Sequence, residues 1–392
     1  MFMENFEFQN ITKILFGKDT ENKVGNEMKQ YGKKVLLHST GENFLKDTGL
    51  YGRIVDSLHQ AGLEIVELTG VKPNPRLSLV REGIKLCREK GVDCILAVGG
   101  GSTIDSSKAI AVGVPYQGDV WDYYSGKSLP ETTLPVGVVL TIASTGSESS
   151  NSCVITNEDG WYKCGLNVDL IRPKFAIMNP ELTFTLPPYQ TASGSADIMT
   201  HVMERYFTNT KHVELTDRLS EATLKTIIDN VPIVLEQPSD YDARSEIMWA
   251  STIAHNDLLS TGRVADWASH LIEHELSGIY DVAHGAGLTA IYPAWMKYVY
   301  KHNIRRFVQF AIRVWDIDYS CESDETLALK GIEALQNFFK KIGMPTTLTE
   351  LGIKDNRFEE MALKATHSDT MKVGNFVPLN KDDIVKILYS AI

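Results

Sequence analysis

The sequence predicts a two-domain protein, with an α/β domain over residues 1–187 followed by an all-helical domain over residues 188–392. In the first half, short apolar runs alternate with stretches of helical period, and these runs are apolar almost without interruption. Strands of that kind form parallel sheets that helices cover on both faces. After Pro187 and Pro188 the pattern changes to long helical segments. A chain of 392 residues is long enough for two hydrophobic cores.

The strands of the α/β domain are short, aliphatic and bounded by turn-forming residues. We expect them at 34–39, 64–69, 93–99, 134–142 and 174–179, with a first strand region at 7–16. The segment 77–91 repeats its apolar residues with the helical period, so it predicts a helix between two parallel strands. Ligands of such sheets bind at the carboxyl ends of the strands.

The second half carries helical periodicity in five long segments and shows no strand pattern. These segments are 191–207, 214–236, 241–259, 285–301 and 324–342. They predict the helical domain.

The composition excludes several classes of function. A formal net charge of −11 argues against nucleic acid as a partner, because nucleic-acid binding requires a basic face. No 18 consecutive residues are apolar, so no membrane span is predicted. The N-terminus lacks the features of a signal peptide, and the five cysteines lack the spacing of a disulfide framework. These features favour a cytoplasmic protein.

Three consecutive glycines, Gly99 to Gly101, end the predicted strand 93–99 and open a helical stretch. Backbone N–H groups can converge on an anion at such a point, where the helix dipole also favours negative charge. The stretch departs from the dinucleotide motif G-x-G-x-x-G, because Ile104 stands at the position of the third glycine. A simple turn after a buried strand is the alternative interpretation.

Two histidine-bearing stretches indicate a metal site in the helical domain. Asp197 and His201 are four residues apart, which places both on one helix face. His270, His274 and His284 fall within fifteen residues, although the chain has only ten histidines. Imidazole and carboxylate groups together suit a divalent metal. An ordinary surface pair of Asp197 and His201 remains the alternative.

Seven motifs are spread along nearly the whole chain. They are FGKDT (16–20), PNP (73–75), GGGSTIDSSK (99–108), TGSE (145–148), ADIMTHVMERYF (196–207), HLIEHELSGIYDVAHGAGL (270–288) and GMP (343–345). In this order they resemble the iron-containing (group III) alcohol dehydrogenase family, and most closely its butanol dehydrogenase branch. The resemblance implies a dinucleotide-binding α/β domain, a helical domain, and a cleft between them that holds a divalent metal.

Matching motif positions imply that the metal ligands are Asp197, His201, His270 and His284. His274 matches a family histidine near the substrate, and an imidazole that titrates near neutral pH suits a proton relay. A packing role for His274 stays open. We expect Fe²⁺, because four protein ligands would fill a tetrahedral zinc site; Zn²⁺ is also accepted by relatives.

The resemblance further implies a nicotinamide-dinucleotide site in the α/β domain. By motif position its residues are Asn74, Gly99, Gly100, Gly101, Ser102, Asp105, Thr141, Thr145, Ser147 and Lys163. Glu42 falls where NAD-using relatives carry an acid, and Phe44 replaces the hydroxyl residue of NADP-using ones. A carboxylate accepts hydrogen bonds from a ribose diol and repels a 2′-phosphate. We therefore expect NAD(H) rather than NADP(H).

The resemblance implies hydride transfer between the nicotinamide and short primary aliphatic alcohols or aldehydes, such as butanol and butanal. It also implies a homodimer, with residues 7–16 as a contact.

Two other functions remain as alternatives. A polyol- or glycerol-dehydrogenase-like or dehydroquinate-synthase-like zinc enzyme would share the architecture. However, dehydroquinate synthase needs a basic cluster, and only Arg205 and Arg263 lie near the metal motifs. The other alternative is a non-catalytic metal and nucleotide binder, against which the intact ligand set argues.

Overall fold

The protein divides into two units of different architecture. A computed structural model describes residues 2–41, 47–319 and 322–392. One unit spans Gln9–Thr185, and the other joins Leu186–Ile392 to the N-terminal segment that ends at Phe8.

The N-terminal segment groups with the helical unit, whereas the sequence assigns it to the α/β domain that ends at residue 187. The backbone N–H of Glu4 donates to the oxygen of Gly262 over 2.9 Å. The ring of Phe2 stacks on that of His212, with centroids 5.9 Å apart. These contacts join residues far apart in the sequence, so no local pattern reveals them.

The unit Gln9–Thr185 is built on a six-stranded parallel sheet and a separate hairpin. The strands are β1 (Lys13–Phe16), β2 (Lys34–Ser39), β3 (Glu64–Leu68), β4 (Cys94–Gly99), β5 (Val136–Leu140), β6 (Ser152–Asn157), β7 (Tyr162–Asn167) and β8 (Phe175–Met178). The sheet runs in the order β1-β8-β5-β4-β2-β3, with every pair parallel. This confirms the predicted fold class and the five predicted strands.

The described residues of this unit form five α-helices. They are α1 (Val24–Met28), α2 (Leu50–Gln60), α3 (Leu77–Lys90), α4 (Gly101–Gly113) and α5 (Trp121–Tyr124). Helix α2 buries Leu50, Ile54 and Leu58, which lie four residues apart on one face, in a core shared with Val35 and Leu37 of β2. Helix α3 is the one predicted at 77–91.

The order of the strands reverses between β2 and β4. The chain passes from β2 to β3 on one side and then returns to β4 on the other side of β2. In open α/β sheets a ligand-binding crevice forms at such a switch point, outside the carboxyl ends of the strands. Ser39 ends β2 and Gly99 ends β4, so the three glycines lie at this edge.

The antiparallel hairpin of β6 and β7 is absent from the sequence prediction. Asp159 and Gly160 lie between its strands, and Gly160 has a φ of +82°. An Asp-Gly pair between two alternating runs is a known hairpin signal, so the sequence contained the information.

The helical unit contains nine helices among its described residues. They are α6 (Pro188–Tyr206), α7 (Glu214–Glu236), α8 (Tyr241–His255), α9 (Ala268–Tyr280), α10 (His284–Val299), α11 (Ile304–Trp315), α12 (Asp324–Lys341), α13 (Phe358–Ala365) and α14 (Lys381–Ser390). The five predicted helical segments are confirmed. None of the helices in the described ranges is both long and apolar enough to cross a membrane.

Helix α9 is additional to the predicted segments, and its start explains why. The residue before it, Trp267, has a φ of +70° and provides no side-chain cap. Ser, Thr, Asp or Asn normally marks a helix start. Helix α6, in contrast, begins with Pro188 at its first position and is buried along almost its whole length.

Candidate metal centre and coenzyme site

The helical unit brings together the four predicted metal ligands. Asp197, His201 and His270 are buried, and one ligand atom from each lies within 4.8 Å of the others. Nε2 of His284 lies 3.7 Å from Oδ1 of Asp197. The carboxylate and the three imidazoles therefore converge, although they come from three helices.

Each helix positions its ligand through a local feature. Asp197 and His201 lie one turn apart on the buried helix α6. His270 lies in the first turn of α9, and His284 is the first residue of α10. A Cβ atom at Gly285 would lie 2.0 Å from a backbone oxygen of α6. Glycine at this position therefore allows α10 to approach α6 closely enough to deliver His284.

Each imidazole has an acceptor at its Nδ1. Nδ1 of His201 lies 2.9 Å from the backbone oxygen of the residue one turn earlier. Nδ1 of His270 lies 2.7 Å from Oε1 of Glu204. Nδ1 of His284 is hydrogen-bonded to Oε2 of Glu273. These acceptors favour the tautomer with hydrogen on Nδ1, in which Nε2 carries the lone pair that a cation needs.

The charge states of this cluster suit metal binding. Burial would raise the pKa of Asp197, but His201, His284 and His270 outweigh it and lower that pKa overall. Burial lowers the pKa of His270 well below its usual value, and the neighbouring histidines lower it further. At neutral pH, Asp197 is thus ionised and His270 neutral, the forms in which these groups ligate metals.

One buried nitrogen of this cluster is left without a hydrogen-bond partner by the described residues. Nε2 of His270 is buried and has no hydrogen-bond partner among the residues that the structure describes. A buried polar atom without a partner destabilises the folded state. A divalent cation would satisfy it, and one carboxylate with neutral imidazoles is a donor set that iron(II) and zinc accept. The residues present therefore fit the expected metal.

His274 lies one turn beyond His270 on α9 and is half-buried. Its ring centroid is 5.8 Å from that of His284. Together with Glu273, these two histidines offer a second group of ligand atoms within 4.8 Å of one another. His274 is therefore next to the site, although it is not in the buried group that contains Asp197.

The two glutamates are functional candidates that the sequence prediction missed. Both are fully buried. Glu204 follows His201 by three residues, and Glu273 follows His270 by three, so H-x-x-E occurs twice. The repeat was the available signal. The sequence repeat alone does not reveal the pairing, because each glutamate bonds to a histidine of another helix rather than to the histidine three residues before it.

In the α/β unit, helix α4 begins at Gly101, and the residue before it, Gly100, has no side chain that could cap the helix. The first N–H groups of a helix lack intrahelical acceptors and can bind an anion. Cβ atoms at Gly100 and Gly101 would lie 3.0 Å from Ile142 and 2.5 Å from Thr145. The glycines thus let the segment after β5 pack against the loop, as a pyrophosphate cradle requires.

Asp105 and Ser147, two predicted coenzyme residues, bond to each other. Oγ of Ser147 donates to Oδ1 of Asp105 over 2.6 Å, and Nζ of Lys108 donates to the same Oγ over 3.0 Å. Lys108 also donates to the oxygens of Ser150 and Ser152 over 3.0 and 2.8 Å. Burial lowers the pKa of Lys108 to about 8, and Asp105 partly opposes that shift. This network fixes the loop that contains Ser147.

Asn74 and Lys163 are connected through the hairpin. Asn74 is buried with a φ of +54°. The next residue, Pro75, accepts a hydrogen bond of 2.7 Å from the N–H of Thr156, which pairs with Lys163 across the hairpin. Lys163 is itself buried.

The remaining predicted coenzyme residues have different positions. Thr141 follows β5, and its N–H donates to the oxygen of Gly99 over 3.1 Å. Ser102 is half-buried in the first turn of α4. Glu42 and Phe44 lie outside the described residues.

His38 is a further buried histidine at the end of β2. Its Nδ1 lies 2.8 Å from the oxygen of Leu68, and its Nε2 lies 2.8 Å from Oγ of Ser106. Burial lowers its pKa to about 4, with the Leu68 hydrogen bond acting in the opposite direction. Both nitrogens are satisfied by the protein, so His38 is a structural residue of the α/β unit.

Comparisons with known families cover both units. The model of the iron-containing alcohol dehydrogenases matches residues 11–180. The model of the C-terminal region of Fe-containing alcohol dehydrogenases matches residues 191–392. Together the two models span nearly the entire chain.

Individual relatives are similar to this chain over nearly the full length of both chains. The probable NADH-dependent butanol dehydrogenase 2 of Bacillus subtilis is 43% identical over 391 residues, which cover 100% of both chains. The NADPH-dependent aldehyde reductase YqhD of Escherichia coli is 32% identical, covering 99% of this chain and 100% of its own. The crystal structure of NADH-dependent butanol dehydrogenase A from Thermotoga maritima superposes with a TM-score of 0.96 at 40% identity, covering 100% and 99% of the chains.

Proposed function

Because this chain belongs to the iron-containing alcohol dehydrogenase family, we propose that it interconverts short primary aliphatic alcohols and aldehydes, with butanol and butanal among them. It is an alcohol dehydrogenase that uses NAD(H). The assignment of individual residues, the preferred substrate and the native metal are parts of the proposal.

In the helical unit, Asp197, His201, His270 and His284 would hold the divalent metal. Bound there, the cation would act as a Lewis acid on the substrate oxygen, while the nicotinamide would carry the hydride. The three imidazoles are oriented by acceptors at Nδ1, so they need little rearrangement to bind. We expect Fe²⁺ as the native metal, with Zn²⁺ accepted.

His274 would handle the proton. In the reduction direction the aldehyde oxygen becomes a hydroxyl, which requires one proton. His274 is half-buried beside His284, and imidazole is the side chain that most often moves protons at physiological pH. It can therefore pass a proton between solvent and the substrate oxygen as a general acid.

In the α/β unit, Gly99, Gly100, Gly101 and Ser102 would bind the pyrophosphate of the coenzyme at the N-terminus of α4. The network of Asp105, Lys108 and Ser147 would hold the adjacent loop, with Thr141 and Thr145, against the coenzyme. Asn74 and Lys163 would contact it from the hairpin side. Their support is the position of the glycine loop at the switch point of the sheet.

Two further observations support NAD(H) as the coenzyme: the sequence position of Glu42, which lies outside the described residues, and the coenzymes of the relatives. Glu42 would accept hydrogen bonds from the adenosine ribose and repel a 2′-phosphate. The relatives at 40–43% identity are NADH-dependent butanol dehydrogenases, whereas the NADPH-dependent reductase is at 32%.

We also propose a homodimer in the cytoplasm. Strand β1 lies at an edge of the sheet, and Phe6, Phe8, Ile11 and Phe16 expose apolar side chains near it in the sequence. An exposed strand edge with apolar neighbours is typical of pairing between chains. Among the described cysteines, Cys87, Cys94 and Cys153 are buried free thiols, which suits a reducing compartment.

The observation that carries this proposal is the convergence of three Nδ1-anchored imidazoles on Asp197. The decisive experiment is elemental analysis of anaerobically purified protein, combined with turnover of an aldehyde panel using NADH and NADPH. We expect one equivalent of metal and oxidation of NADH by butanal. A higher kcat/KM with NADPH would contradict the coenzyme assignment. Preference for polyols would favour the polyol dehydrogenase alternative, and binding without turnover would favour the non-catalytic one.

A further inference from the structure

We propose that Glu204 and Glu273 are positioning residues that determine the metal affinity of the helical unit by holding His270 and His284 in the ligating tautomer. This inference rests on the proposed metal site and deepens it. It assigns a role to two buried carboxylates outside the proposed ligand set.

Glu204 connects α6 to the start of α9. Its Oε1 accepts from Nδ1 of His270 over 2.7 Å and from the backbone N–H of the same residue over 3.2 Å. The hydroxyl of Ser269 donates to the same oxygen, and the N–H of Trp267 donates to Oε2 over 2.7 Å. One carboxylate thus caps α9 and orients the histidine in its first turn.

Glu273 makes the equivalent connection from α9 to α10. Its Oε2 accepts from Nδ1 of His284, and its Oε1 accepts from the hydroxyl of Ser277. A Cβ atom at Gly287 would lie 2.6 Å from Oε1 of Glu273. The second glycine of H-G-A-G therefore leaves room for this carboxylate beneath α10.

Both glutamates accept a hydrogen bond from Nδ1 of a histidine, whereas Nδ1 of His201 has a different acceptor. Its Nδ1 is anchored by a backbone oxygen of its own helix, because Asp197 lies one turn before it. At Nδ1, His270 and His284 instead bond to a carboxylate from another helix. A carboxylate at Nδ1 increases the basicity of Nε2 and fixes the plane of the ring.

The carboxylates of Glu204 and Glu273 should also affect which cations the site selects. With Asp197, the two glutamates place three buried carboxylates around the position where the imidazoles converge. A dication offsets more of that charge than a monovalent ion does. The site should therefore select divalent cations more strongly than Asp197 alone would achieve.

Glu273 could instead ligate a metal with His274 and His284, since their candidate atoms lie within 4.8 Å of one another. Its contacts argue against this role. Both of its oxygens already accept hydrogen bonds from Nδ1 of His284 and from Ser277. These bonds would have to break before either oxygen could bind a cation.

The test is the metal affinity of Glu204→Gln and Glu273→Gln, measured by competition of Zn²⁺ with a chromophoric chelator. The glutamine carbonyl can still accept from Nδ1, but the charge is lost. We expect each variant to bind Zn²⁺ about 10- to 100-fold more weakly than the wild type. We also expect the visible absorption spectrum of the Co²⁺-loaded protein to change, because the imidazoles are held less strictly.

Glu221→Gln is the matched control. Glu221 is a buried carboxylate of the same unit that bonds to Tyr206 and Gln309 over 3.0 Å each. Neither of these partners is a histidine, so its substitution should leave the Zn²⁺ affinity within twofold of the wild type.

Gly287→Ala provides a second route if Glu273→Gln does not fold. It displaces Glu273 without changing any charge, and we expect weaker Zn²⁺ binding here too. Wild-type affinity and spectra in the folded glutamine variants, or in Gly287→Ala, would overturn the inference. Failure of the wild type to bind one equivalent of metal would instead contradict the proposed function.

Discussion

The α/β unit and the helical unit each bury a histidine with a lowered pKa, but the two imidazoles are satisfied differently. His38 has one protein partner at each nitrogen, Leu68 and Ser106. His270 has a partner at Nδ1, whereas its Nε2 has none among the described residues. Burial of a histidine therefore does not by itself indicate a metal site. What distinguishes His270 from His38 is its Nε2, which has no partner among the described residues.

The candidate sites of the two units also differ in which part of the chain forms them. The glycine loop consists of backbone from which side chains are excluded, because a Cβ atom at Gly101 would meet Thr145 at 2.5 Å. The metal centre consists of large polar side chains held by further polar side chains. The first site should be damaged by added atoms, and the second by removed ones.

The largest expected effect is that of His270→Ala, which removes the nitrogen that distinguishes the two histidines. We expect loss of the bound metal and a fall in kcat/KM of more than about 1,000-fold, the scale of a lost electrostatic stabiliser. Elemental analysis and steady-state kinetics measure both. His302→Ala, at an exposed histidine of the same unit, is the control and should retain metal and activity. Full metal content in His270→Ala would remove His270 from the ligand set.

His274→Ala should separate the proton relay from the ligands. We expect full metal content and a kcat lowered about 100- to 1,000-fold, because general acid catalysis contributes on that order. Metal content and kcat are compared in the same preparation. Loss of metal from this variant would show instead that His274 is a ligand.

Lys108→Met should show that the loop of the α/β unit is held by buried polar contacts. The variant leaves Asp105 and the oxygens of Ser150 and Ser152 without their cation. Each buried oxygen that loses its donor in this way destabilises the folded state by about 1–3 kcal/mol. The measurement is the urea midpoint of unfolding. Lys85→Met, at a lysine whose side chain is 76% exposed, is the control, and equal midpoints would contradict the prediction.

The free energy of unfolding of the α/β unit should decrease as the pH is lowered, because of His38. The folded pKa is about 4 and the ordinary value is 6.5, so between these values only the unfolded chain takes up the proton. Stability from this source is fully present above pH 6.5 and is lost toward pH 4, by about 3 kcal/mol. His38→Gln should flatten this part of the pH profile in urea unfolding. An unchanged slope would mean that other groups cause it.

The smallest expected effect is that of Gly101→Ala, which adds one methyl group to the coenzyme loop. Overpacking costs about 1–3 kcal/mol, so we expect the KM for NADH to rise about 10-fold at unchanged metal content. Gly52→Ala is the matched control, because a Cβ atom there meets nothing within 4 Å. If both variants have the same KM, the loop does not bind the coenzyme as proposed.

Sequence patterns predict much of the fold because the patterns are local. The strand around Leu96 is apolar without interruption because both faces of the sheet are covered. The i, i+4 spacing places Asp197 and His201 together within one helix. Helix α9 escapes prediction because Trp267 precedes it in a left-handed conformation, which no cap residue announces.

The amino-acid sequence alone predicted the two architectures and the glycine turn after β4, for which periodicity and spacing suffice because each depends on residues within a few turns. The set of four side chains that could hold a cation was implied by the resemblance of the motifs to a known family. Only the tertiary structure decided which buried nitrogen remains unsatisfied and which carboxylate faces which imidazole. Glu204 and His270 are 66 positions apart, and their meeting depends on how two helices pack, which no local pattern encodes.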